Sequence, residues 1–266
     1  MASALLRAAH VNLDPAPWVL HDTVSAQLVP ADQAAPLETV MAAWPGVVHA
    51  AVRVRHAART RVAEDVATEG LGMGRSDYVL LGAGLDSFAW RHSFADRFTV
   101  WEFDHPDTQE WKRDALARAA LPVMPNVRFE PIDLTATDLA RLPTPRRATW
   151  NWLGVTMYLP RAATAAALGA IASHQPGTTL IVDFNLTVDT RDELAAAVSA
   201  ATGAALAGID EPLTTTYTRE EAASLLYAAG FAQVTVWDAA AVRARYFPRR
   251  DDLPDHRASL IAVAVV

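Results

Sequence analysis

Tyr78-Val79-Leu80-Leu81-Gly82-Ala83-Gly84-Leu85-Asp86-Ser87 is a short apolar run that breaks into glycines. Apolar on both faces, the run reads as a strand buried inside a sheet. Gly82 and Gly84 let the backbone turn tightly and approach a ligand with no Cβ in the way. A strand, a glycine-rich turn and a helix start form the usual cradle for a nucleotide-like ligand at the carboxyl edge of a parallel sheet. Downstream, Phe98-Thr99-Val100-Trp101-Glu102-Phe103-Asp104 reads as a second strand ending in acid. A carboxylate there can accept hydrogen bonds from ribose hydroxyls. Position 87 is Ser where the dinucleotide fingerprint has its third glycine, so the motif alone also fits a tight turn with no ligand.

From this stretch onward the pattern is regular. Strands are expected at 78–82, 98–103, 127–132, 148–153, 178–184, 231–237 and 259–265, with helices at 106–120, 135–141, 160–174, 190–205 and 218–229. The alternation predicts an α/β fold, a Rossmann-like, mostly parallel sheet of seven strands with helices on both faces. The last strand follows Pro248 and Pro254 and is expected to be inserted antiparallel. The segment 185–217 is too long for a plain connection; above the ligand edge it is either a lid or a surface excursion.

Upstream, prolines at 15, 17, 30, 36 and 45 divide the chain into short pieces. Residues 47–67 then read as a helix, closed by Gly70, Gly72 and Gly74. Its His49 and His56 could share a face, but metal binding would want a third ligand and none is nearby. Its Arg53, Arg55, Arg59 and Arg61 read mostly as a solvated face. Because this helix enters the glycine-bearing strand, one of them could reach an anionic ligand group.

Composition bounds the rest. The 266 residues are 52% hydrophobic and 20% charged, enough for one large α/β domain or two small ones. A formal charge of −7 argues against a nucleic-acid-binding surface. Lys112 is the only lysine, so nearly all positive charge is arginine. There is no cysteine, which excludes disulfides, zinc–thiolate sites and cysteine nucleophiles. No signal-peptide core and no run of eighteen apolar residues is evident, so a cytoplasmic protein with no membrane span is expected.

Four stretches in order carry a family resemblance. They are Arg59-Thr60-Arg61; Leu81 to Ser87 with Arg91; Trp101-Glu102-Phe103-Asp104-His105-Pro106 with Trp111-Lys112; and Asp133-Leu134 followed by Trp152-Leu153-Gly154-Val155-Thr156-Met157-Tyr158-Leu159-Pro160. In spacing the chain resembles the leucine carboxyl methyltransferase family, a branch of the class I S-adenosylmethionine-dependent methyltransferases, from about Arg7 onward. The resemblance implies one methyltransferase domain over 1–266. It has a helical N-terminal cap (1–75), a core (76–266) whose last strand is reversed, and an insertion at 185–217, with cap and insertion closing over the active site.

The resemblance also implies roles. Arg59 matches the arginine that grips the methionine carboxylate of the cofactor. Gly82, Ala83 and Gly84 form the turn beneath it. Asp104 holds the ribose, and Asp133 and Leu134 flank the adenine. Asp133 also reads as a helix N-cap before Thr135. Arg7 lies where the family often has a second basic residue. Leu153 departs from the pattern, standing where the family frequently has a glutamate beside the cofactor; Asn151, two residues earlier on the same strand face, could substitute.

The expected cofactor is S-adenosyl-L-methionine, and the expected partner is a small-molecule acceptor, with a second copy of the chain in a homodimer. The expected activity is O-methylation of a carboxylate or hydroxyl in secondary metabolism. The alternatives are a nicotinamide-dependent oxidoreductase and a binding protein that kept the cofactor pocket but lost catalysis. Tyr158, past the fourth strand, is the candidate for shaping the acceptor side. Its other reading is a core tyrosine. His105 reads as a cap for the helix beginning near Pro106.

Overall fold

The computed structural model describes residues 1–134, 142, 147–190, 192–207 and 213–266. At its centre lie β1 (Asp77–Leu81), β2 (Thr99–Asp104), β3 (Val127–Pro131), β4 (Ala148–Trp152), β5 (Thr179–Asn185), β6 (Gln233–Trp237) and β7 (Ser259–Val265). They form one sheet in the order β3-β2-β1-β4-β5-β7-β6. β1 to β5 pair in parallel, and β7 slots antiparallel between β5 and β6. All seven expected strands are present, and the last is reversed as the sequence predicts.

The continuous apolar run of β1 follows from its central place. Tyr78 and Leu80 pack with Phe88, Phe98 and Val100, while Val79 and Leu81 join Trp150, Trp152 and Phe184 in a second cluster. Helices α4 (Phe88–Arg91), α5 (Pro106–Arg118), α6 (Arg161–Ala172) and α8 (Arg219–Ala229) follow the strands. Their ends are written locally. His105 caps α5, its ring accepting from Asp107 N at 3.4 Å. Thr218 and Glu221 form a reciprocal capping box at the start of α8, which ends at Gly230 with φ 113°. The helix expected over 135–141 lies outside the described residues, as do Gly208 and Pro212.

The N-terminal third is more helical than its prolines suggest. Helices α1 (Ala2–Leu13), α2 (Ala31–Ala42) and α3 (Gly46–Leu71) precede the sheet. Pro30 and Pro45 sit at N-caps, where a missing N–H costs nothing, but Pro36 lies inside α2 and does not end it. Burial of Ala34 and Met41 against α1 and α3 residues offsets the lost backbone bond. The arginines of α3 do not form a solvated face. Arg53 and Arg59 are 7% and 8% exposed, and only Arg61 is a solvated side chain. Each buried guanidinium has a carboxylate partner far along the chain: Asp14 for Arg53, and Asp183 for Arg59.

In the 185–217 segment, α7 (Glu193–Ala207) packs its Ala195 and Val198 into the cluster formed by α1, α2 and the start of α3. α9 (Ala239–Tyr246), capped by Asp238, lies between β6 and β7 and was not apparent from spacing. Among the described residues no helix is long and apolar enough to cross a membrane.

Candidate active site

The strand order reverses between β1 and β4, and a cleft of about 710 Å³ opens at their carboxyl ends. Its floor is the glycine turn. Gly82 has φ 72° and Gly84 φ 46°, the left-handed region where a Cβ is strained. A Cβ on Gly82 would also fall 2.5 Å from Val155 Cγ2. Around Gly84 there is open space. Its N–H donates to Asp104 Oδ2 at 2.5 Å, and His105 N donates to Oδ1 at 2.7 Å. Burial pushes the Asp104 carboxyl above its ordinary range, against those two N–H donors. Each oxygen keeps a lone pair for another donor.

The wall of the cleft is organised by Asp183, fully buried in β5. Its Oδ1 accepts from Gly154 N at 2.7 Å, and its Oδ2 from Arg59 Nη1 at 2.9 Å and Arg55 Nη2 at 3.4 Å. Gly154 has φ 76°, and a Cβ there would come within 2.8 Å of Arg59 Nη2. Only a glycine lets the guanidinium lie across the end of β4. The motif Leu153 to Thr156 thus joins three elements: Gly154 seats Arg59, Val155 meets Gly82, and Thr156 Oγ1 donates to Asp183 O at 2.6 Å. Gly154→Ala is expected to lower stability by about 1–2 kcal/mol through backbone strain alone and to displace Arg59. Urea denaturation alongside Gly169→Ala, a helical glycine with free space around it, separates the two glycines; equal effects would refute this account.

A second network ties the N-terminal helical region to the glycine turn. Asp22 is fully buried and accepts from Arg7 Nε (2.9 Å), Ser25 Oγ (2.5 Å), Ser25 N (2.9 Å) and Ser87 Oγ (2.9 Å). Arg7 Nη2 also donates to Leu85 O at 2.7 Å, inside the turn itself. Arg91 donates to Ser87 Oγ and pairs in a fork with buried Glu64 of α3. Burial would raise the Asp22 carboxyl, but the charges of Arg7 and Arg91 and the hydrogen bonds of Ser25 and Arg7 hold it far below the usual range. Ser87, in place of a third glycine, is therefore a hydrogen-bonding member of this network. Beneath the turn, Lys112 Nζ bridges Asp86 O (2.8 Å) and Glu102 Oε2 (2.6 Å). Burial, opposed by Lys112, pushes the Glu102 carboxyl up to about 7.

The structure brings most of the expected site residues together. Arg7, Arg59, Gly82, Ala83, Gly84, Asn151 and Leu153 line the cleft. Asp104 stands directly behind Gly84. Asp133 and Leu134 follow β3 on the neighbouring strand, where Ile132 N binds Asp104 O at 2.8 Å. Asn151 Nδ2 donates to Tyr78 Oη at 2.8 Å, which leaves the amide oxygen for a ligand. Tyr158, 37% exposed in the turn after β4, is not among the residues lining the cleft.

The profile of a family described as leucine carboxyl methyltransferase matches residues 1–172. The chain belongs to the leucine carboxyl methyltransferase family. Among similar proteins is the Bacillus subtilis chain named "Putative S-adenosyl-L-methionine-dependent methyltransferase YktD", 34% identical over 136 residues; the match covers 48% of this chain and 44% of that one. This chain thus spans less than half the length of that relative. Two solved structures share the fold. A possible exported protein from Bordetella parapertussis is 15% identical, with 86% of this chain and 72% of that one covered and a TM-score of 0.60. The S-adenosylmethionine-dependent methyltransferase SibL in its apo form is 17% identical, with 85% and 60% covered and a TM-score of 0.53.

Three residues of this family member's site escape a reading by motif. Asp183 carried a signal: it is the one acid in the apolar run Thr179-Leu180-Ile181-Val182-Asp183-Phe184, and a buried charge demands a partner. Gly154 lies inside the Trp152–Pro160 motif, where spacing alone assigns it no role. Asp22, in a loop of ordinary composition, carried no local signal.

Proposed function

We propose that this chain is an S-adenosylmethionine-dependent O-methyltransferase that methylates a carboxylate or hydroxyl of a small molecule in secondary metabolism. Residues 1–75 would act as the cap and 185–217 as the lid of a single domain. The observation that carries this reading is the pairing of the Gly82–Gly84 turn with Asp104 at the floor of a cleft walled by Arg59. The donor set fits the cofactor. Arg59 spends Nη1 on Asp183 and, among the described residues, has from Nη2 only a 3.5 Å contact to Ser3 Oγ; that nitrogen can hold a methionine carboxylate. The remaining lone pairs of Asp104 suit the ribose hydroxyls, and the open space at Gly84 admits the ligand's close approach.

Asp133 and the Leu134 N–H would flank the adenine. Asn151, with Leu153 beside it, would meet the amino group. Arg7 acts through the turn, holding Leu85 O and Asp22. When bound, S-adenosylmethionine supplies a methyl group on a sulfonium, an electrophile with a good leaving group. The chain's residues then align and exclude water. A carboxylate acceptor is ionised at pH 7 and requires no general base.

Calorimetric titration with S-adenosylmethionine, S-adenosylhomocysteine and NAD tests this. Binding of the first two and not the third is expected. Asp104→Ala should weaken S-adenosylhomocysteine about 100-fold, from two lost hydrogen bonds to a charged group. Binding of NAD in their place, or an unchanged affinity in Asp104→Ala, would refute the assignment.

A further inference from the structure

A second cavity, of about 440 Å³, lies on the other side of Arg59, between α3, the end of β6, α9 and the start of β7. Arg59 lines both cavities, and Arg55, one turn earlier in α3, lines the second and pairs with the same Asp183. The walls are apolar: Ala51, Val54, Trp237, Val242 and Phe247.

Besides the two arginines, the cavity carries His256. It is 5% exposed. Its Nδ1 accepts from Ala258 N at 3.2 Å, so in the neutral ring Nε2 carries the hydrogen. Nε2 is buried and has no hydrogen-bond partner among the described residues. A buried N–H without an acceptor is costly unless a ligand supplies one. Burial, with the charge of Arg55, lowers the ring to about 3, so it stays a neutral donor at all ordinary pH. The acids at this cavity sit apart in role. Asp238 caps α9 and pairs with Arg219, and Asp255 is half-buried beside His256.

We infer that this cavity holds the body of the methyl acceptor, an apolar, ring-sized small molecule, and that His256 Nε2–H donates to a carbonyl or carboxylate oxygen on it. The inference rests on the proposed methyltransferase reading and narrows its substrate class. The shared Arg59 places the acceptor next to the cofactor cleft, and Asp183 fixes both arginines at the junction. His256 is a binding and specificity residue; it moves no proton.

The test uses 2-naphthoate as probe and 2-methylnaphthalene as its counterpart without oxygen. Each is titrated into the full chain by ligand-observed NMR, with and without S-adenosylhomocysteine, so that the cavity is read whether or not the cofactor binds. The wild type is expected to bind 2-naphthoate and to prefer it over 2-methylnaphthalene. His256→Phe, which keeps the ring's shape, should weaken 2-naphthoate about tenfold, the loss of one hydrogen bond, and abolish the preference. Ala239→Trp, at the half-exposed start of α9, should block both probes while leaving S-adenosylhomocysteine affinity unchanged. The 15N resonance of His256 Nε2 should shift on adding 2-naphthoate. Absence of 2-naphthoate binding in the wild type, or equal binding in all three proteins, would overturn the inference. Failure of S-adenosylhomocysteine to bind the wild type would instead strike the proposed function.

Discussion

Replacing Asp22 with alanine is expected to lower the unfolding free energy by about 3–5 kcal/mol, because it strands buried positive charge. The carboxylate is fully buried and shared by Arg7, Ser25 and Ser87. Arg91 keeps Glu64, but Arg7 loses its only acidic partner among the described residues. The loss reaches the site, since Arg7 also holds Leu85 O in the glycine turn. Asp22→Ala should therefore bind S-adenosylhomocysteine more weakly although residue 22 does not line the cleft. Urea denaturation and calorimetry measure the two effects; a stability change under about 1 kcal/mol would show that the network is not what joins the N-terminal helices to the turn. The same group predicts a pH dependence. Its folded pKa lies below the unfolded value of about 4, so its contribution is complete above pH 4 and is lost as pH falls further. Asp14, lowered to about 2 where burial is outweighed by His10 and Arg53, acts in the same sense. Thermal midpoints of the wild type should drop more steeply between pH 5 and pH 2 than those of Asp22→Asn.

Asp183→Ala is expected to cost a similar 3–5 kcal/mol, and its signature is different. It removes the acceptor of Arg59, Arg55 and Gly154 N together, so both cavities lose the side chain that sets their common wall. Cofactor and acceptor-probe affinities should fall in one variant, whereas Asp22→Ala should affect the cofactor more. Asp183→Asn keeps an acceptor for Gly154 N and should be milder. A double-mutant cycle with Arg59→Ala reads the coupling, expected at about 1–3 kcal/mol. Additive effects in that cycle would mean that Asp183 does not position Arg59.

The legible parts of the site share one property. The Leu81–Ser87 turn, the acid at Asp104 and the Leu153–Pro160 motif are each set by a short run of backbone, so their residue types must recur at short spacing. The same holds for His105 as a helix cap. What was not legible joins distant segments. Arg53 and Arg59 sit on a helix whose charges look solvated, and only Asp14 and Asp183, 39 and 124 residues away, turn them inward. His256 lies in a proline-bearing stretch with no local pattern; its orphaned Nε2 appears only when α3, β6 and α9 close around it.

The sequence by itself determined the sheet, its glycine turn and the reversed last strand, because hydrophobic period and glycine placement are local constraints that a strand or turn must obey; the family was legible through the resemblance of four ordered motifs. The tertiary structure decided which charges are buried and paired, how the N-terminal helices are tied to the turn, and where a second cavity meets the first. Those outcomes depend on partners from opposite ends of the chain. A carboxylate and a guanidinium carry no mark of their future burial until packing removes the water around both.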